Sequence, residues 1–281
     1  MALVTDSTSS LEPTQAARAG VAVVPLQVVI DGHSRPETEV APTEVAAALR
    51  AGRSVSTSRP TPEVLSSTYA ELARRGASAV VSVHLSAKIS GTCAAAEQAA
   101  AAAAVPVTVL DCGTLAMAAG FAVLAAAEAA ESGQPVEEVV RLARDRAAAS
   151  TTYFYVDTLE FLRRGGRIRP AAALVGTALS VKPLLTVADG EIRPLERVRT
   201  ESRAMARLEE LGLSALARAA GRSDHVDVAV HHLDNSEGAA RLVSRLQDRV
   251  TGCAIAVTEV SAVIGVHVGP GMLGLVISPR I

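Results

Sequence analysis

Three short stretches of the chain gather hydroxyl groups beside apolar runs. They read Thr5-Asp6-Ser7-Thr8-Ser9, Ser56-Thr57-Ser58-Arg59-Pro60-Thr61-Pro62 and Ser86-Ala87-Lys88-Ile89-Ser90-Gly91-Thr92. Hydroxyls donate hydrogen bonds to anions, and a helix that starts beside them adds unpaired backbone N–H groups. Ser90-Gly91-Thr92 opens an Ala-rich helical run, where Gly91 lets a ligand come close to the backbone. The same residue types are preferred helix caps and turn formers. Taken one at a time, each reads first as a cap, and a cap is compatible with an anion site. One imidazole, His267, sits in Ile264-Gly265-Val266-His267-Val268-Gly269-Pro270-Gly271, which reads as a glycine-rich turn. Taken alone, it reads as a structural His. Gly269, Gly271 and Gly274 spell a literal GxGxxG, but only seven residues follow, too few to complete a dinucleotide-binding unit. Asp157–Ile168 is the remaining dense stretch. It reads as a short helix with a basic end stopped by Gly165-Gly166, which leaves the following Arg167 half explained.

These residues need elements to position them. Apolar β-branched runs predict strands at 2–6, 21–30, 79–85, 105–110, 153–156, 184–187, 192–197, 226–230 and 254–260. Between them, helices are predicted at 42–51, 62–75, 91–104, 114–131, 136–149, 159–164, 201–220 and 236–250. Asp31-Gly32 and Asp189-Gly190 are turn signals, the second between two strands. The alternation predicts an α/β fold of two α/β domains, with parallel or mixed sheets flanked by helices. At roughly 150 residues per domain, 281 residues suggest two domains, placed at 1–150 and 151–281, the second carrying the closing His-Gly-Pro-Gly turn. In such sheets ligands bind beyond the carboxyl ends of strands, so the hydroxyl loops are expected to converge on one edge of the first domain.

Composition excludes several classes of function. A formal net charge of −2 with dispersed Lys and Arg gives no footprint for nucleic acid or an anionic membrane. The hydrophobic fraction is 49%, yet Ala dominates it and Gly, Glu, Arg or Pro interrupts the longest apolar stretches before they reach membrane-spanning length, so no stable membrane insertion is expected. Cys93, Cys112 and Cys253 have neither CxxC nor zinc spacing, which predicts a reducing compartment and no metal. The N-terminus lacks a basic segment followed by an apolar run, so a cytoplasmic protein is expected.

The hydroxyl loops, together with Val156–Ile168, Lys182-Pro183-Leu184-Leu185, Arg197-Val198-Arg199-Thr200 and Gly265–Gly271, resemble the DegV family of bacterial fatty-acid-binding proteins. The matches run in family order over nearly the whole chain. The resemblance implies a fatty acid in the cleft between the two domains. It implies a carboxylate held by Thr57, Ser90 and His267, with Arg167 near the head group and Ser58, Gly91, Thr92 and Asp6 as supporting loop residues. It also implies a partner, a separate fatty-acid kinase that phosphorylates the bound carboxylate to an acyl phosphate for phospholipid synthesis. The chain itself would be a carrier rather than an enzyme, with no cofactor beyond the bound lipid. The chain departs from the family pattern at Arg59, where Gln is usual, at Val268 for Thr, and at Cys93 for Tyr.

Chemistry agrees with that assignment of roles. A buried carboxylate must find donors or take up a proton. Two hydroxyls and an imidazole N–H supply donors, at about 1.5–3 kcal/mol for each bond to a charged group. Chain burial contributes about 0.8 kcal/mol per CH₂ and so dominates affinity, while the polar end sets orientation. The alternatives are a serine-dependent acyl hydrolase built on Ser90, His267 and Asp6, and a lipid sensor without a kinase. Ile-Ser-Gly-Thr around Ser90 lacks the GxSxG elbow, which weakens the first.

Overall fold

The computed structural model describes residues 1–168, 181–247 and 255–281. Cys253, the predicted end of the 236–250 helix and residue 254 of the predicted strand lie outside them. Four short apolar runs, β1 (Ala2–Asp6), β2 (Val21–Val24), β6 (Val80–His84) and β7 (Val107–Asp111), pair in parallel in the order β2-β1-β6-β7. A parallel sheet needs cover on both faces. Helices α3 (Pro62–Arg74) and α4 (Thr92–Ala100) cover one, packing Leu65, Tyr69 and Ala96 against Val4 and Val80. Helices α5 (Ala116–Glu131) and α6 (Val136–Ala149) cover the other, against Leu3, Val81 and Val83.

The second large sheet is mixed. It holds β8 (Thr151–Tyr155), β9 (Lys182–Ala188), β10 (Glu191–Val198), β11 (Val226–His232), β12 (Ile255–Glu259) and β13 (Leu273–Pro279), ordered β10-β9-β8-β13-β11-β12. Helices α8 (Glu201–Ala220) and α9 (Ser236–Gln247) cover its outer face through Leu208, Leu216, Leu242 and Leu246. Its inner face meets α5, where Met117 and Phe121 pack on Ala229 and Val276. Helix α5 is therefore apolar all round because it lies between two sheets. The layers run helix, sheet, helix, sheet, helix.

A small antiparallel sheet, β4-β3-β5, stands beside these layers, built from β3 (Gln27–Ile30), β4 (His33–Pro36) and β5 (Val55–Ser58). Asp31 and Gly32 both take positive φ, 50° and 83°, the backbone that a two-residue hairpin turn requires. Asp189 and Gly190 do the same between β9 and β10. The remaining helices are α1 (Pro13–Arg18), α2 (Pro42–Arg50), α7 (Glu160–Arg164) and α10 (Ala262–Val268).

Three expectations are corrected. The run 21–30 is two strands in different sheets, separated by a break that includes Pro25, which has no N–H for a sheet ladder. Ser56–Ser58 is strand rather than loop, because β3 supplies a pairing edge for a polar sequence. The closing glycine-rich segment is a helix followed by β13, which lies centrally in its sheet; His267 is in the last turn of α10, not in a turn. By chain position, residue 150 separates the first two sheets from the six-stranded one. Packing crosses that point, since Ala262, Val263 and Val266 of α10 share a core with Leu26, Val28 and Val55.

Candidate functional site

The carboxyl ends of β1 and β6 open toward one cavity of about 50 Å³, bordered by Thr57, Ser58, Arg59, Ser90, Arg167 and His267. Thr57 lies on the half-buried face of edge strand β5, and its Oγ1 is 2.9 Å from His267 Nε2. That contact joins residues 210 apart in sequence. Ser90 ends the loop after β6. Its Oγ lies 2.8 Å from Thr92 Oγ1, and α4 has no side-chain cap, so the Ser90 hydroxyl is not spent on capping. The Ser90 loop is also tied to the β9–β10 hairpin: Ser86 Oγ donates to the Gly190 carbonyl at 2.7 Å, and Lys88 Nζ to that of Asp189 at 2.7 Å.

Helix α7 and the double glycine position Arg167. Gly166 N–H donates to the Arg163 carbonyl and Arg167 N–H to that of Leu162, the paired bonds of a Schellman stop. That stop needs a left-handed residue, and Gly166 has φ 71°. Gly165 answers a different need. A Cβ there would lie 2.2 Å from His267 Nδ1, so only glycine lets the imidazole sit against α7. The Arg167 guanidinium bonds the Gly165 carbonyl.

Burial, and then the charge of Arg167, push the His267 imidazole down to about 4. It is neutral at pH 7, and its Nδ1 is buried without a hydrogen-bond partner among the described residues. Burial also lowers the Arg167 guanidinium from its ordinary value, though it stays a cation. A neutral imidazole, two hydroxyls and a guanidinium thus face one another with no carboxylate among them. Arg59 adds a second cation, stacked over Gly91 so closely that a Cβ there would meet its Nη1 at 2.6 Å. Arg59 and Thr8 also belong to the cavity wall, in addition to the site residues that the resemblance implies.

Asp6 does not enter this cavity. It is 1% exposed and caps the turn at Ser7–Ser9, accepting from Thr8 N–H at 3.1 Å. Its other oxygen lies 3.0 Å from His84 Nδ1 and accepts from Leu85 N–H at 3.0 Å. Burial raises its pKa, but His84, Thr8 and Leu85 together hold it below the ordinary carboxylate value. The arrangement Ser90–His267–Asp6 therefore does not form. Asp6, His84 and Ser82 do form a chain, with Ser82 Oγ 2.8 Å from His84 Nε2, yet all three are sealed in the core. Among the described residues, no group of three or more His, Cys, Asp or Glu could hold a metal ion. No described helix is long and apolar enough to cross a membrane.

A second cavity of about 40 Å³ adjoins the first and shares Leu115, Ile192, Ile264 and Val268 with it. Its wall is almost wholly apolar. The two together form a path with a polar end and an apolar end.

A family model described as uncharacterised proteins of the DegV family matches residues 1–280. The chain belongs to the DegV family. A DegV domain-containing protein of Streptomyces coelicolor is 53% identical over 282 residues, covering 100% of this chain and 99% of that one. A DegV family protein from Thermus thermophilus, described as binding fatty acid, superposes with a TM-score of 0.90 at 35% identity over 99% of both chains. A DegV protein of Bacillus subtilis, described as a fatty-acid-binding protein, gives 0.88 at 31% identity over 99% and 98%. Arg59 and Val268 border the first cavity. Cys93 is buried away from it, and burial pushes its thiol up to about 12.

Helix α10 is anchored from the small sheet. Glu37, in the 3₁₀ turn Glu37–Glu39, is 7% exposed and accepts from Val263 N–H at 2.6 Å. Burial raises its carboxyl above the ordinary value. A raised carboxylate stabilises the fold below its unfolded pKa, and that contribution is lost as pH rises through the folded value. Glu37→Gln keeps the Val263 bond and removes the titration. It is expected to gain stability relative to the parent as pH rises from about 4 to about 7. Thermal melts across that range check this; a pH-independent difference would show that Glu37 carries no such linkage.

Proposed function

We propose that this chain binds a long-chain fatty acid, holding the carboxylate among Thr57, Ser90, Arg167 and His267 and laying the acyl chain along the inner apolar cavity. Ser58, Gly91 and Thr92 shape the loops around the head group, and Asp6 stiffens the strand end behind them. The observation that carries the reading is the Thr57–His267 pair, neutral and beside a guanidinium, at the polar end of a path whose far wall is apolar. The descriptions of the Thermus and Bacillus proteins support it. The carboxylate supplies the one negative charge that this set of groups lacks, and its arrival favours protonation of His267.

Presentation to a separate kinase belongs to the same proposal. A wider opening of about 320 Å³, bordered by Ser56, Arg164 and Gly165, also reaches Thr57, Arg167 and His267 from outside. A carboxylate there is approachable by a phosphoryl donor held on another protein, whose terminal phosphorus would accept the carboxylate oxygen while the nucleoside diphosphate leaves. The carrier needs no cofactor of its own and acts in the cytoplasm.

Mass spectrometry of lipid released from purified protein tests the binding. Ser90→Ala is expected to retain about tenfold less fatty acid, the value of one hydrogen bond to a charged group. An unchanged lipid complement would remove Ser90 from the site. Formation of acyl phosphate on addition of kinase and ATP tests presentation separately.

A further inference from the structure

The inner cavity carries one feature that a plain hydrocarbon chain does not use. Thr152 and Phe154 alternate on the buried face of β8, and both border this cavity. Thr152 is 8% exposed, and its Oγ1 is fully enclosed without a hydrogen-bond partner among the described residues. Its backbone carbonyl is already engaged by Thr186 Oγ1 at 2.8 Å. His231, the other polar side chain bordering the cavity among the described residues, has both nitrogens in use: Nε2 accepts from Met117 N–H at 3.3 Å, and Nδ1 lies 2.9 Å from Thr258 Oγ1. A buried hydroxyl with no partner is costly, whereas Val would fill the same volume at no such cost. Rotation about χ1 exchanges the hydroxyl and methyl of Thr between staggered wells, so the hydroxyl can turn to a chain lying in the cavity.

We infer that Thr152 makes the acyl-chain cavity selective for a fatty acid bearing a hydroxyl or keto oxygen within its chain. The inference rests on the fatty-acid reading above and adds the class of acyl chain. Such an oxygen, carried into an apolar cavity, must find a hydrogen-bond partner or be rejected. Thr152 supplies a donor and acceptor at one depth along the path, so the preference is for one position of the oxygen rather than for oxygenated chains in general.

Displacement of a fluorescent fatty acid by stearate and by a series of monohydroxystearates tests this on the purified full chain. One positional isomer is expected to bind the parent about tenfold more tightly than it binds Thr152→Val. Thr152→Ser should keep that preference, and stearate should bind Thr152→Val at least as well as the parent. If every isomer binds the parent more weakly than stearate does, or the preference survives in Thr152→Val, the inference is wrong while the carrier reading stands. A variant that alters oleate affinity instead would mean that Thr152 reads a double bond, which also overturns it. Failure of stearate itself to displace the probe would sink the carrier reading.

Discussion

Gly165→Ala is expected to lower fatty-acid retention by about 10- to 100-fold while leaving the fold intact. The magnitude is the loss of one or two charge-assisted hydrogen bonds. Gly165 has φ −74°, a conformation that Ala adopts freely, so the backbone itself does not resist the change. The obstacle is the imidazole, 2.2 Å from where the new methyl would lie. His267 must swing away, and the 2.9 Å contact with Thr57 goes with it. Gly166→Ala separates the two glycines. It forces a left-handed Ala at a cost of about 1 kcal/mol or more but places nothing against the imidazole, so its loss should appear in stability rather than in retained lipid. Lipid mass spectrometry beside thermal melting reads both. Normal retention in Gly165→Ala would mean that His267 does not hold the head group.

The second large effect is on the fold. Asp6→Ala is expected to cost about 3–5 kcal/mol, the usual consequence of removing one partner from a buried charged network. The substitution leaves Thr8 N–H, Leu85 N–H and His84 Nδ1 without their acceptor in a sealed core. Asp6→Asn should fall between the two, because it keeps the shape and one acceptor oxygen. Urea denaturation measures the difference. A loss below about 1 kcal/mol would show that the network relaxes, or that water enters to replace the carboxylate.

The strands that form the parallel sheet were legible because β1, β6 and β7 are short apolar runs that end where polar residues begin. The convergence of their following loops came from the general rule for such sheets. The family motifs then picked Thr57, Ser90, Arg167 and His267, and the structure places all four on one cavity. What sequence periodicity missed depends on partners distant in the chain. Val55-Ser56-Thr57-Ser58 has a single apolar residue and becomes a strand only because β3 pairs with it. Helix α10 is seven residues long with Gly265 inside it, too short and too interrupted for a helical period to appear. Its one local signal was Ser261, whose side chain caps Ile264 N–H. β13 carries Gly274 opposite Phe154, and the glycines of this stretch gave no alternating apolar pattern from which a central strand could be read.

The position of β13 bears on how the protein is made. The four parallel strands are all present once residue 111 has left the ribosome. The six-stranded sheet must wait, because β8 and β11 are joined only through residues 273–279. At about 5–20 residues per second, translation separates the two events by about ten to thirty seconds. From the time each is made, β8 and then β11 await β13 with unpaired edges and apolar faces, the surface that chaperones hold and that aggregation consumes. His267 emerges a few residues before the strand that completes the sheet. The candidate site is thus completed only at the end of folding, and a nascent chain stalled before residue 273 has no finished second sheet.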